Sequence, residues 1–216
     1  MTDRAGRKTA LVTGASRGLG RAMALKLADN GFALALTARN FDELEKTRRL
    51  SRLAARDALI LLADLSLDDA PDQIFDATLN HYDRIDVLIN AAHAAPSGAS
   101  LLELEAADQA RLLAVNLHGP IALARLAARW MNKQSTGGTI INFVCGASAP
   151  FDPITAAAEA GILAFSQTAT TALRAERIRI VAMMCASMDY RSLAENGMAF
   201  IGPSYDSHPI AVRLKD

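Results

Sequence analysis

Six short apolar runs recur along the chain, each followed by a longer stretch in which apolar residues return with helical period. The runs are TALVT (9–13), FALALTA (32–38), ALILLA (58–63), DVLIN (86–90), TIINFV (139–144) and IRIVAMM (178–184). Near-continuous apolarity in a short run marks a strand buried on both faces, the habit of parallel sheets covered by helices. Helices are predicted over 19–30, 41–56, 70–82, about 104–132 and about 155–176, with Asn30-Gly31 and Gly137-Gly138 as stops. Right-handed crossovers then give an α/β fold, a doubly wound, mostly parallel sheet of six or seven strands with helices on both faces. After about residue 190 the pattern fades, and only PIAVRL (209–214) alternates as a short edge strand would.

With 216 residues and no linker or repeat, one domain over 1–216 is expected. Lys plus Arg equals Asp plus Glu at 23 each, so no overall field draws the chain to nucleic acid or to an anionic membrane. The opening MTDRAGRKTA lacks the apolar stretch of a signal peptide, and no run is long enough to span a bilayer, so the expected compartment is the cytoplasm. Cys145 and Cys185 have neither zinc-ligand nor C-x-x-C spacing, and no metal site is expected. They end the fifth and sixth strands, neighbours in this order. A thiol pair is one reading, and two buried apolar side chains the other.

Chemistry enters directly after the first strand. Thr13-Gly14-Ala15-Ser16-Arg17-Gly18-Leu19-Gly20 is a Gly-x-x-x-Gly-x-Gly turn that opens a helix. In such a turn Gly14 permits the sharp bend, Gly18 lets a pyrophosphate approach the backbone, and Gly20 packs helix on strand. Free N–H groups at the helix start face the anion. Arg39 ends the second strand where an acidic residue would hold ribose hydroxyls. With Arg17 it suits a 2′-phosphate, which favours NADP(H) over NAD(H). Asp64-Leu65 follows the third strand and has two readings: meeting an adenine edge, or a turn and capping role.

TGASRGLG, the Asp-Leu at 64–65, INAAH (89–93) and VNLHG (115–119) together resemble the short-chain dehydrogenase/reductase family, and the likeness runs to about residue 190. It implies a dinucleotide across the C-terminal edge of the sheet, with Asn90, Ala91 and Ala92 on its adenosine side, and a homodimer through the two long helices. His93 stands where the family has glycine. The family's chemistry uses an Asn, a Ser and a Tyr-x-x-x-Lys pair, in which a phenol of lowered pKa exchanges a proton with the substrate oxygen. The resemblance places Asn116 at the Asn, Cys145 at the Ser, Thr155 at the Tyr and Glu159 at the Lys. Threonine has no phenolic acidity, and a carboxylate reverses the charge that the relay needs.

The segment between Cys145 and Thr155 is also shorter than the family's, Cys185-Ala186 replaces its Pro-Gly, and the substrate-covering segment after Tyr190 is expected to be short or absent. Tyr190 and Tyr205 are the phenols left near that tail, with nothing in the sequence to bring them to the site. Three readings follow. The first is an NADP(H)-binding relative with impaired or lost chemistry, acting as a sensor, scaffold or protein partner. The second is an active NADP(H)-dependent oxidoreductase on a carbonyl or alcohol, using Cys145, Glu159 or His93 with water. The third is an interaction domain that no longer binds cofactor.

Overall fold

A computed structural model of the chain describes residues 6–53, 57–95, 100–144, 152–185 and 190–201, and the backbone of 211–213. Within them the strands are β1 (Thr9–Thr13), β2 (Ala33–Ala38), β3 (Ala58–Leu62), β4 (Val87–Asn90), β5 (Gly138–Val144), β6 (Ile178–Met184) and β7 (Ala211–Arg213). All pair in parallel, in the order β3-β2-β1-β4-β5-β6-β7. The expected doubly wound sheet is therefore present, with seven strands. The edge strand read at 209–214 appears as β7, alongside β6.

Along β1 to β6 alternate residues enter opposite layers. Val12, Leu34, Leu36, Ile89, Ile141 and Val181 pack on one side with Met23, Leu27 and Leu44. Leu11, Ala35, Leu88, Ile140 and Ile180 pack on the other with Ile74, Leu112, Leu123 and Met131. Each fully buried Leu or Ile contributes roughly 1.5–3 kcal/mol, which is why the central runs tolerate almost no polar residue.

The helices are α1 (Gly18–Asp29), α2 (Phe41–Leu50), α3 (Ala70–Tyr82), α4 (Ala106–Leu113), α5 (Gly119–Lys133), α6 (Pro153–Ala172) and α7 (Tyr190–Ala199). Three depart from expectation. The helix predicted over 41–56 stops at Leu50, where Ser51 Oγ donates to Arg48 O and Arg52 turns to a φ of 55°. The following SRLAAR has good helix formers and no stop residue, so propensity alone overran the end. The single helix expected near 104–132 runs unbroken from Ala106 to Lys133, but a π turn at Ala114–His118 divides it into α4 and α5 and buries both Val115 and Asn116. Helix α6 starts at Pro153 rather than 155, because Asp152 caps it by accepting from Ile154 N and Thr155 N, with proline at the first position.

Helix α7 was not foreseen. It buries Leu193, Ala194 and Gly197 against α1. No helix among the described residues is long and apolar enough to cross a membrane. Strand order reverses between β1 and β4, and at such a switch point the loops leaving the C-terminal strand ends part into a crevice.

Candidate functional site

The glycine turn lies at this crevice, between β1 and α1. Gly14 has a φ of +64°, and a Cβ there would lie 2.6 Å from Ala91 O on the neighbouring loop. A Cβ on Gly20 would lie 2.2 Å from Gly14 O, so these two glycines bring backbone onto backbone. Arg17 precedes α1 in an extended conformation, no side chain among the described residues caps the helix, and its first turn carries no acidic residue. The positive end of α1 and its first N–H groups thus stay open toward the crevice. Ser16 is half-buried, Leu19 is buried beneath the turn, and Arg17 is exposed.

A scaffold that sequence reading missed holds this turn. The Arg21 guanidinium donates to Ser16 O, to the Glu43 carboxylate at 2.5 Å and to Thr47 Oγ1 at 2.9 Å. Thr47 Oγ1 in turn donates to Ala15 O at 2.8 Å. The hydrogen bond from Arg21 is the main reason why the Glu43 carboxyl sits below its ordinary pKa, with Lys46 adding to it. Arg21 and Thr47 each look like surface helix residues in the sequence, and no spacing rule links them.

Arg39 and Asp64 sit at the ends of β2 and β3, where Arg39 Nη1 lies 3.8 Å from Asp64 Oδ2. Asp64 Oδ1 accepts from Ser66 N and Ser66 Oγ, each at 2.9 Å. Of its two readings the turn role is therefore the one with formed bonds. Burial pushes the Asp64 carboxyl up, but the two Ser66 donors and then the Arg39 charge outweigh it and leave its pKa lowered. Leu65 is buried in the layer beneath.

At the end of β4, Thr13 Oγ1 accepts from Ala91 N at 3.1 Å and from Ala92 N at 3.2 Å, tying this loop to the glycine turn. The Asn90 side chain turns inward. Its amide donates to Asn142 Oδ1 at 2.8 Å and to Pro120 O at 3.2 Å, and Asn142 Nδ2 continues the chain to Ser166 Oγ at 3.0 Å. Asn90 Oδ1 is buried with no hydrogen-bond partner among the described residues. Asn90 also lines a cavity of about 20 Å³, shared with Ala92, His93, Asn116, Glu159 and Ile162 among others. That volume holds about one water molecule, and water is the group that Asn90 Oδ1 calls for.

The residues expected at the family's chemical positions from the sequence resemblance are only partly brought together. Asn116, on the π turn, accepts from Ala94 N at 2.8 Å and donates to Ala94 O at 3.0 Å, so its amide holds the loop after β4. Thr155 is 1% exposed, with its hydroxyl donating to the Asp152 carboxylate. Glu159 lies one turn further along α6 and lines the cavity with Asn116 and His93. Cys145 lies outside the described residues, as do residues 146–151 and 186–189 and Tyr205, so the pairing of Cys145 with Cys185 lies outside them too. Cys185 is buried at the end of β6.

His93 is exposed at the cavity rim. The partial desolvation of its ring lowers its pKa below the ordinary 6.5, and the Asp152 carboxylate opposes the shift. In a proton NMR titration the His93 ring is expected to titrate below 6.5 and, with Asp152→Asn, lower still. Asparagine keeps the helix cap and removes the charge. A midpoint that rises in Asp152→Asn contradicts this arrangement.

Residues 8–197 match the sequence profile of the short chain dehydrogenase family. The chain belongs to the short-chain dehydrogenase/reductase family. Among curated proteins it is similar to a 3-oxoacyl-[acyl-carrier-protein] reductase of Synechocystis, 31% identical over 180 residues that make up 82% of this chain and 72% of the reductase. An uncharacterized oxidoreductase of Thermotoga maritima is 31% identical over 135 residues, 62% of this chain and 52% of that protein. The chain thus spans about half to three quarters of the length of these short-chain dehydrogenase/reductase relatives. Among solved structures, a metagenomic short-chain oxidoreductase in complex with NADP superposes with a TM-score of 0.87 at 30% identity, over 96% of each chain.

Proposed function

We propose that this short-chain dehydrogenase/reductase family member binds NADP(H) at the C-terminal edge of its sheet and has lost the family's usual proton relay. The observation that carries the binding half is the uncapped, acid-free start of α1 behind a turn whose Gly14 and Gly20 admit no side chain. The dinucleotide phosphates belong at those N–H groups, with Ser16, Arg17, Gly18 and Leu19 forming the turn around them. Arg39 is the cation for the 2′-phosphate. It is 68% exposed and, among the described residues, held by a 3.8 Å ion pair with Asp64 alone, so it is available to a stronger anion. Asp64, Leu65, Asn90, Ala91 and Ala92 shape the adenosine side. The NADP bound by the metagenomic relative agrees with this choice of cofactor.

The loss of chemistry rests on the start of α6. When bound, NADPH supplies a hydride, and a carbonyl that accepts it also needs a proton at oxygen. Thr155 gives its hydroxyl to Asp152, and Glu159 brings negative charge to the cavity, so this pair neither donates as a phenol does nor lowers a neighbour's pKa as a lysine does. The role left is that of a nucleotide-binding sensor, scaffold or protein partner, in the cytoplasm. Pairing of two copies through α5 and α6 belongs to the same reading, supported by exposed Ala156, Ala157, Ala160 and Ala164 on α6.

Calorimetric titration with NADPH and NADH tests the reading. NADPH is expected to bind more tightly, and Arg39→Ala to weaken NADPH about tenfold while leaving NADH unchanged. Equal affinities for the two nucleotides remove Arg39 from the site, and binding of neither leaves an interaction domain. A second reading, an active oxidoreductase, draws on the meeting of His93 with Glu159 at one cavity. NADPH consumption with carbonyl substrates, abolished in the double variant His93→Ala, Glu159→Gln, favours it.

A further inference from the structure

A second opening lies at the far edge of the sheet. Helices α3 and α5 pack side by side, and the turns that follow them, residues 83–86 and 134–137, lead into the neighbouring strands β4 and β5. Between these turns is a cleft of about 350 Å³ lined by Asp83, Arg84, Trp130, Lys133, Gln134 and Thr136. It sits at the N-terminal ends of the strands, opposite the crevice of the glycine turn, and its volume is that of a small-molecule site.

The walls of this cleft are fixed by hydrogen bonds. The Gln134 side chain accepts from Ile85 N at 3.0 Å and donates to Ile85 O at 2.9 Å, which clamps one turn to the other. Arg84 donates to both oxygens of Asp86 at 2.7 Å, and Asp86 Oδ2 also accepts from Thr9 N at 2.8 Å. The charge of Arg84 is thereby matched within the protein.

Two other donors of the cleft have no acceptor. Trp130 Nε1 is buried with no hydrogen-bond partner among the described residues, a condition that buried polar groups rarely keep. Lys133 Nζ stands over the Trp130 ring, 4.5 Å from its centre, and forms no ion pair among the described residues. A cation on an aromatic face is weakly held there and keeps its N–H groups for an acceptor. Asp83, the acidic residue of the lining, is exposed and does not pair with Lys133.

We propose that this cleft binds a small organic monocarboxylate, its two oxygens taken by the Lys133 ammonium and the Trp130 indole N–H. A carboxylate supplies acceptors to both donors at once, and the indole gives its apolar part a wall. Binding turns Lys133 from the ring face toward the carboxylate and opens the way to the indole N–H, exchanging a cation–π contact for charge-assisted hydrogen bonds. Asp83 repels a second negative charge, which sets monocarboxylates above dicarboxylates. The site is independent of the nucleotide reading above.

The single tryptophan of the chain is the reporter for the test. In proton–nitrogen correlation spectra, the Trp130 indole signal is followed as phenylacetate, its neutral analogue phenylacetamide, or succinate is added. Phenylacetate is expected to move the indole proton downfield and to saturate, phenylacetamide to leave it in place, and succinate to bind at least about threefold more weakly. Lys133→Gln, a change at an exposed position, is expected to weaken phenylacetate about tenfold. No saturable shift with phenylacetate, or an equal shift with phenylacetamide, overturns the proposal. Phenylacetate binding unchanged in Lys133→Gln overturns it too, and succinate binding as tightly as phenylacetate overturns the choice of a monocarboxylate.

Discussion

Gly20→Ala is expected to destabilise the chain by about 1–3 kcal/mol, the range of an overpacked core, and to reduce NADPH affinity by at least about tenfold. The added methyl would stand 2.2 Å from Gly14 O, and the obstacle is backbone rather than the end of a flexible side chain. Relief requires either the first turn of α1 to move away from β1 or Gly14 to leave its φ of +64°. Gly14 is itself confined, since displacement on its other side meets Ala91 O. Any shift therefore misdirects the N–H groups at the start of α1, and binding falls together with stability. Urea denaturation and calorimetry on the same preparation check this. A variant as stable as wild type with unchanged NADPH affinity refutes the account of the turn.

The second large effect is expected at Asn142. It is 1% exposed, sits opposite Asn90 in the β4–β5 register, and joins Asn90 to Ser166 on α6. Asn142→Ala deprives the Asn90 amide of one acceptor and Ser166 Oγ of its donor, both buried, and opens space in the core. Each buried group left unmatched costs about 1–3 kcal/mol, so a loss of about 2–4 kcal/mol is expected. That corresponds to a fall in Tm of about 5–15 °C for a chain of this size. Because the same chain of amides backs the cavity beside Glu159 and Asn116, the His93 titration should shift in parallel. A thermal melt within a degree or two of wild type shows that water replaces the Asn142 amide.

Much of the fold was legible because period and burial agree in a parallel sheet. Strands β1 and β5 face helices on both sides, so the apolar pairs Leu11-Val12 and Ile140-Ile141 at their centres feed opposite layers and mark them as buried strands. Boundaries were less legible. The end of α2 at Leu50 depends on Ser51 and on a left-handed Arg52, and no residue there announces a stop. The π turn at Ala114–His118 has no sequence signature at all. It exists because Val115 and Asn116 are both buried, one in the apolar layer and one on the backbone of Ala94.

The candidate site divides in the same way. Gly14, Gly18, Gly20 and Arg39 announce themselves, since glycine where backbones touch and a cation at a strand end are choices made locally. The placing of Thr155 and Glu159 at the family's Tyr and Lys positions is an expectation from sequence, drawn from the Ala160-Gly161 that follows them. Family membership could be expected from the motifs and is established by the match over residues 8–197. What tertiary structure alone decided are the partnerships between residues far apart in sequence. Arg21 and Thr47 brace the turn, Asn90, Asn142 and Ser166 form one buried chain, and Tyr190 reaches Gly18. Local propensity and hydrophobic period are written residue by residue, so the sequence by itself determined the sheet, its layers and the phosphate-type turn. Side-chain partnerships across the crevice depend on where helices come to rest, and only the packed structure sets that.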